Sequence, residues 1–325
     1  MQTSADSGAM AAAISLYRNP SLNISSKLSQ ARQDAAQFAA DNFKGTLLAQ
    51  NDVIFGFVDP GSKTFNPASF QISSNNTNYA NTGGYNAVYV WAQKGADSPN
   101  PPISPLFASL VGIKNMSTSA KSIALIDQTV HSIDHGGLRP IYVCQAQFQS
   151  AMQDGVPEND AVRIYGDHME VNGVQNQTGC PALGSGNWSF ADLRNCSPDA
   201  VGTSTIQDWL ASGFPGTVNV GQCYSSDPGN FIASSTDILD KLIAKQTIFP
   251  LPAYNSWSGS GSNTSVNVSS FVGFKITGYK ATGSQSSRYI EGHFYRYVCE
   301  NGCTSSSASS DASGAGTVVK IRRIY

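Results

Sequence analysis

The chain has 325 residues, with 20 Lys and Arg against 22 Asp and Glu and a formal net charge of −2. Charged residues are 13% of the total, about half the share of an ordinary soluble domain; Ser, Thr, Asn, Gln and Gly take their place. The length suffices for one large or two ordinary cores, the lack of a basic stripe speaks against nucleic acid as a partner, and no apolar run reaches the roughly 18 residues of a membrane-spanning helix.

In chain order, Ala9 to Arg18 is Ala-rich and reads as helix, interrupted by Asn19-Pro20 and Asn23. Ser25 to Phe43 reads as a second helix, with Ser25 or Ser26 as its N-cap. Leu28, Ala31, Ala35, Phe38 and Ala39 fall on one face, a packing stripe made mostly of small residues that admits a second backbone at close range. From Asp52 the pattern turns to strands: Val53 to Val58, then Tyr85 to Ala92, where Tyr85, Ala87, Tyr89 and Trp91 alternate onto one side. Leu106 to Ile113 reads as a short helix and Ser117 to Asp127 as a strand.

Further on, Pro140 to Val143 and Ala161 to Tyr165 read as strands, and Thr203 to Ser212 as a helix anchored by Ile206, Trp209 and Leu210 and ended by Gly213. Another helix is expected over Ser234 to Lys245, ending before Phe249-Pro250-Leu251-Pro252. Phe271 to Tyr279, Tyr289 to Val298 and Val318 to Ile321 read as strands, the last after a Ser-, Ala- and Gly-rich loop over Thr304 to Gly316. The expected class is α+β: a long N-terminal Ala-rich helix on a mainly antiparallel sheet, and a second, β-rich region containing cysteines. The expected divisions are a helical segment over 1–45, a small α+β region over 46–135 and a β-rich region over 136–325.

Six cysteines, Cys144, Cys180, Cys196, Cys223, Cys299 and Cys303, form an even set within a polar, weakly charged chain, which points to disulfides and an oxidising compartment. Zinc is the competing use, with Cys299 and Cys303 as half a site, but no matching pair lies near them in sequence. A short disulfide loop around Gly302 is the better reading, and the overall pairing stays open. Met1 is followed by Gln2, Thr3 and Ser4, without the basic start and apolar run of an export signal. Together with oxidised cysteines, this predicts an apolar segment upstream of Met1.

Catalytic chemistry finds little purchase. His168 and His293 stand alone, while His131 and His135 would share a helix face, as zinc requires, only if the adjacent Gly136-Gly137 did not break the helix. No Gly-x-Ser-x-Gly elbow is present, and Asp127-Gln128-Thr129-Val130-His131 is a poor match to a metal-dependent adhesion motif. No catalytic residue, metal ligand or cofactor is assigned. The Asn-x-Ser/Thr triplets, Asn23 and Asn75 among them, follow from the Asn, Ser and Thr content alone.

Asp6-Ser7-Gly8, Tyr17-Arg18 and Leu28 to Ala40, with Asp34-Ala35-Ala36 at its centre, resemble the start of TadE- and TadG-like pilus proteins. Asn86 to Val90, Ser104 to Ala108, Gly186-Asn187-Trp188-Ser189-Phe190, Asp227 to Asn230 and Phe271 to Tyr279 extend the resemblance over most of the chain. It implies a non-enzymatic, periplasm-facing component of Flp (tight-adherence) pilus assembly, held in the bacterial inner membrane by an N-terminal helix. Its partners would be other pilus-assembly proteins or pilin-like subunits. The membrane helix expected before Asp6 is not in this sequence, and the von Willebrand A domain of some family members has no counterpart. The competing readings are a secreted adhesin, binding through exposed aromatics around Tyr254 and Trp257, and a hydrolase using His131 and His135.

Overall fold

The computed structural model describes residues 1–19, 23–43, 45–59, 63–67, 82–96, 98–104, 112–127, 130–151, 157–166, 168–175, 190–194, 196, 201–226, 232–259, 264–284, 287–305 and 317–324. The chain divides into two units, Met1–Asp127 with Ile321–Tyr325, and Gln128–Lys320. The helical start is therefore part of the first unit, and the division falls where the strand ending at Asp127 stops. The class is α+β, and its disulfides lie in the second unit.

The first unit begins with an antiparallel pair of helices, α1 (Gln2–Arg18) and α2 (Ile24–Asn42). Asn23 caps α2: its extended backbone lets the side chain accept the Ser26 amide at 2.9 Å. Ser25 and Ser26, which the sequence favours for this role, already lie inside the first turn. No helix among the described residues is long and apolar enough to cross a membrane.

Strands β1 (Val53–Val58), β2 (Phe65–Asn66), β3 (Ala87–Lys94) and β4 (Thr118–Asp127) follow. They form an antiparallel sheet in the order β4-β3-β1-β2, with the chain's last residues alongside β4. α1 lies on β3 and β4, and α2 lies beside α1 and against β1. The register puts Val53 opposite Val90, Phe55 opposite Val88, and Val88 and Val90 opposite Ala124 and Ser122. These residues are buried. The Arg32 guanidinium of α2 sits 4.9 Å from the centre of the Phe55 ring, which marks this face as the one beneath the helices.

Small residues set the helix spacing. Ala5, Ala9 and Ala12 of α1 and Ala31, Ala35 and Ala39 of α2 are fully buried. A Cβ on Gly8 would stand 3.1 Å from the Ala35 carbonyl oxygen and 3.6 Å from the Ala39 Cβ. Gly8→Leu is therefore expected to force the helices apart and cost about 2–3 kcal/mol by overpacking. Gly8→Ala should cost far less, because better helix propensity offsets the tight contact. Urea unfolding of the two variants checks this, and equal midpoints would count against the close approach.

Asp6 of α1 is tied to Arg323 and accepts from Gln2 at 2.9 Å. Partial burial raises its carboxyl pKa, but hydrogen bonds from Gln2, Ser122 and Arg323 outweigh that and leave it below the ordinary value. The stabilisation is present above the unfolded-state pKa and is lost as pH falls through the lowered one.

The second unit comprises β5 (Val130–Ile133), β6 (Val143–Cys144), α3 (Gln145–Ala151), β7 (Val162–Tyr165), β8 (Met169–Val171), β9 (Val174–Gln175), β10 (Ala191–Asp192) and α4 (Thr203–Ser212). β11 (Val218–Asn219), β12 (Cys223–Ser226), α5 (Thr236–Ala244), β13 (Ile248–Ser258), β14 (Ser265–Lys280), β15 (Tyr289–Tyr295), β16 (Tyr297–Cys299) and β17 (Cys303–Ser305) follow. The division between units falls within the final strand, β18 (Val318–Ile324), whose first residues pair in parallel with β16. The long strand β14 organises the main sheet. β13 runs along one of its edges, while β12 and β15 share the other. β5, β11 and β17 make a small second sheet.

The core of this unit is aromatic. Phe148, Phe274 and Phe294 are fully buried, with ring centres 5.1 Å apart for Phe148 and Phe294 and 5.5 Å for Phe274 and Phe294. α4 buries Ile206, Trp209 and Leu210 and stops at Gly213, whose φ of 94° suits glycine. A Cβ there would also collide with the Gly136 carbonyl.

Candidate interaction surface

The helix face expected to be functional is largely internal. Ala31, Ala35 and Ala39 are buried against α1, and Lys27 completes their i, i+4 row. Leu28 is half-buried beside that row and Phe38 is 52% exposed. A contact line built for close backbone approach has no room for a phenyl ring, so Phe38 turns outward. Its carbonyl, not its side chain, meets α1, accepting the Ser7 hydroxyl at 3.2 Å.

Two disulfides join described residues: Cys196 to Cys223, with Cα atoms 5.5 Å apart, and Cys299 to Cys303 at 6.2 Å. The second closes around Gly302, whose φ is 72°. Cys144 is also disulfide-bonded, and Cys180 lies outside the described residues. The zinc reading of Cys299 and Cys303 thus gives way to a covalent bond between them.

The histidine pair does not form a helical site. His131 is in β5, and His135 occupies a left-handed turn at φ 50° with its ring in solvent. His168 stacks on Tyr165 at 4.2 Å between ring centres, while His293 lies on β15 opposite Lys275. Among the described residues no group of three or more His, Cys, Asp or Glu side chains converges. Asp127, the start of the adhesion-motif comparison, pairs with Arg322 at 3.1 Å. The expected short helix over 106–113, the 304–316 loop and the Gly184-Ser185-Gly186 fragment lie wholly or mainly outside the described residues.

The aromatic patch expected around Tyr254 and Trp257 is not on the surface. Tyr254 is 7% exposed, its ring edge-on to Tyr142 at 6.3 Å, and burial pushes its phenol pKa up. Trp257 is half-buried against the core. The exposed apolar surface lies elsewhere. Eight of the ten large apolar side chains left exposed among the described residues belong to the first unit. Several gather where β3 ends and β4 begins. There the Lys94 ammonium covers the Phe43 ring at 4.8 Å, and Ile103 bridges to Met116 through a pair of backbone hydrogen bonds. Exposed Leu47 is fixed to the same end, its amide donating to Asn100 Oδ1 at 2.6 Å.

Asn100 is fully buried and acts as a knot. Its side-chain amide donates to the carbonyls of Leu47 (2.7 Å) and Gln93 (2.9 Å), and its own amide donates to Ser98 Oγ at 3.1 Å. This fixes the described part of the turn after β3 over the outer face of the sheet. On that face Trp91 is 37% exposed, with the Lys121 ammonium 5.2 Å from the centre of its ring. A hollow of about 290 Å³ opens beside Trp91, between the end of β3, the residues Gly95, Ala96 and Ser98 that follow it, and the start of β4. Sequence reasoning placed Trp91 on the correct strand but could not see the hollow, because its walls are brought together by the Gln93–Ser119 register.

No known family, curated protein or solved structure matches this chain.

Proposed function

We propose that this chain is the periplasm-facing part of a non-enzymatic, TadG-like component of Flp pilus assembly, held at the bacterial inner membrane. It docks onto other assembly proteins or pilin-like subunits through its first unit. The observation that carries the docking role is the group of exposed apolar side chains where β3 gives way to β4, among them Phe43, Leu47, Ile103 and Met116. Scattered exposed apolar residues need no explanation, and it is their gathering at one end of one unit that supports a docking role. The disulfides of the second unit suit an oxidising compartment such as the periplasm.

A photo-crosslinking residue placed at Leu47 or Met116 in the native bacterium is expected to capture a pilus-assembly protein or pilin-like subunit. The same residue at Val174, exposed on the second unit, should not. Capture of no pilus protein from either first-unit position would overturn the docking role.

A further inference from the structure

We infer that the hollow beside Trp91 is a saccharide-binding site that seats one sugar ring. The inference stands on the chemistry of its walls and does not rest on the pilus reading. Two side-chain hydroxyls stand on the Trp91 side of the sheet at the hollow, those of Ser117 and Ser119. Among the described residues neither bonds another group, so each can both donate to and accept from a ligand. Gln93 donates its side-chain amide to Asp52 at 3.2 Å, which leaves its carbonyl oxygen as a further acceptor. The aromatic wall is the partly exposed indole of Trp91, flat, apolar and rigid.

A pyranose carries the matching features: an apolar C–H face to lie against an indole, and a rim of hydroxyls that both donate and accept. The alternatives fit less well. A lipid or drug-like ligand calls for mostly apolar walls, and these walls are mostly polar. A phosphate calls for converging backbone amides or a guanidinium fork. Here the Gly95 amide is already committed to the Asn100 carbonyl at 3.2 Å, and the two nearby ammonium groups lie over rings, Lys94 over Phe43 and Lys121 over Trp91, with no guanidinium among the lining residues. The volume of about 290 Å³ sits at the small end of ligand pockets, so neighbouring sugars of an oligosaccharide would lie outside.

The hollow is also held open before any ligand arrives. The Asn100 knot fixes the described residues of the turn, and Gly95 lets them approach β4: a Cβ at that position would stand 3.0 Å from Ser117 Oγ. A site formed in advance avoids the cost of ordering its walls on binding.

The test is a panel of immobilised neutral and uronate-containing oligosaccharides probed with the full-length chain, followed by titration of any glycan retained. The inference expects at least one glycan to be retained. Trp91→Ala should weaken binding at least tenfold, and Ser119→Leu, which fills the hollow from an exposed strand position, should abolish it. Ser119 is exposed, so Ser119→Leu should keep the unfolding midpoint of the parent within a few degrees, whereas Trp91→Ala, which removes a half-buried indole, should lower it. Retention of no saccharide would overturn the inference, as would binding left unchanged by Ser119→Leu.

Discussion

Phe294→Ala should be among the most damaging single changes in the molecule, lowering the stability of the second unit by about 3–5 kcal/mol. Phe294 is fully buried, edge-on to both Phe148 and Phe274, at the inner face of β15. Removing its ring forfeits the buried area and leaves a cavity. The surrounding strands cannot collapse into it, because the β14–β15 register fixes their spacing. Phe294→Leu, which keeps most of the volume, should cost less than half as much. Urea denaturation with tryptophan fluorescence as the probe separates the two. A loss below about 1 kcal/mol for the alanine variant would show that the site collapses and that the aromatic cluster is not the centre of this core.

The second large effect is expected at the Cys196–Cys223 disulfide. The bond spans a sequence separation of 27, and the loss of unfolded-chain entropy for a loop of that size corresponds to about 3–4 kcal/mol. Both cysteines are solvent-exposed, so replacing them with serine removes the constraint without emptying a packed site. Cys196→Ser with Cys223→Ser should therefore lower stability by nearly the whole amount, and dithiothreitol should add little further at this site. The Cys299–Cys303 bond differs: its separation of 4 corresponds to only about 2 kcal/mol of chain entropy, but both residues are buried, so its serine variant loses packing as well. Unchanged unfolding midpoints for the Cys196 and Cys223 double variant would contradict the cross-link as a stabilising feature and weaken the argument for an oxidising compartment.

Much of the architecture was legible where local signals agree. The strand Val53–Val58 and the helix Thr203–Ser212 occupy the residues that alternation and helical spacing indicate, and Ile206, Trp209 and Leu210 are the buried anchors of that helix. Other elements went unread. Pro250 and Pro252 argue against a strand, yet both lie in β13. They are two residues apart, so their backbone positions face the same side. The Pro250 carbonyl accepts the Arg139 amide at 3.1 Å, which places that side away from β14. The ladder to β14 therefore needs no N–H from either proline. The hairpin of β8 and β9 was missed despite its turn, Asn172-Gly173, in which both residues have positive φ (53° and 75°). That dipeptide is the expected chemistry of a two-residue turn, but the flanking strands are too short to announce themselves.

The interaction surfaces were less legible, for a different reason. The row of Ala31, Ala35 and Ala39 was visible from its spacing, but not whether it faced a partner or the chain's own α1; Gly8, far away in sequence, decides that. Trp91 was visible as one tooth of an alternating strand, whereas the hydroxyls beside it belong to β4, aligned only by the sheet register. The gathering of Phe43, Leu47, Ile103 and Met116 depends on the buried Asn100 knot and on a backbone bridge, neither of which leaves a periodic trace in sequence.

A chain with the proposed role in building a pilus should be needed for the filaments themselves. The most direct test is deletion of the gene in the native bacterium, with surface filaments counted by electron microscopy before and after the gene is restored in trans. Flp-type filaments are expected to disappear on deletion and return on complementation; filaments of unchanged number and length in the deletion strain would rule out the proposed role.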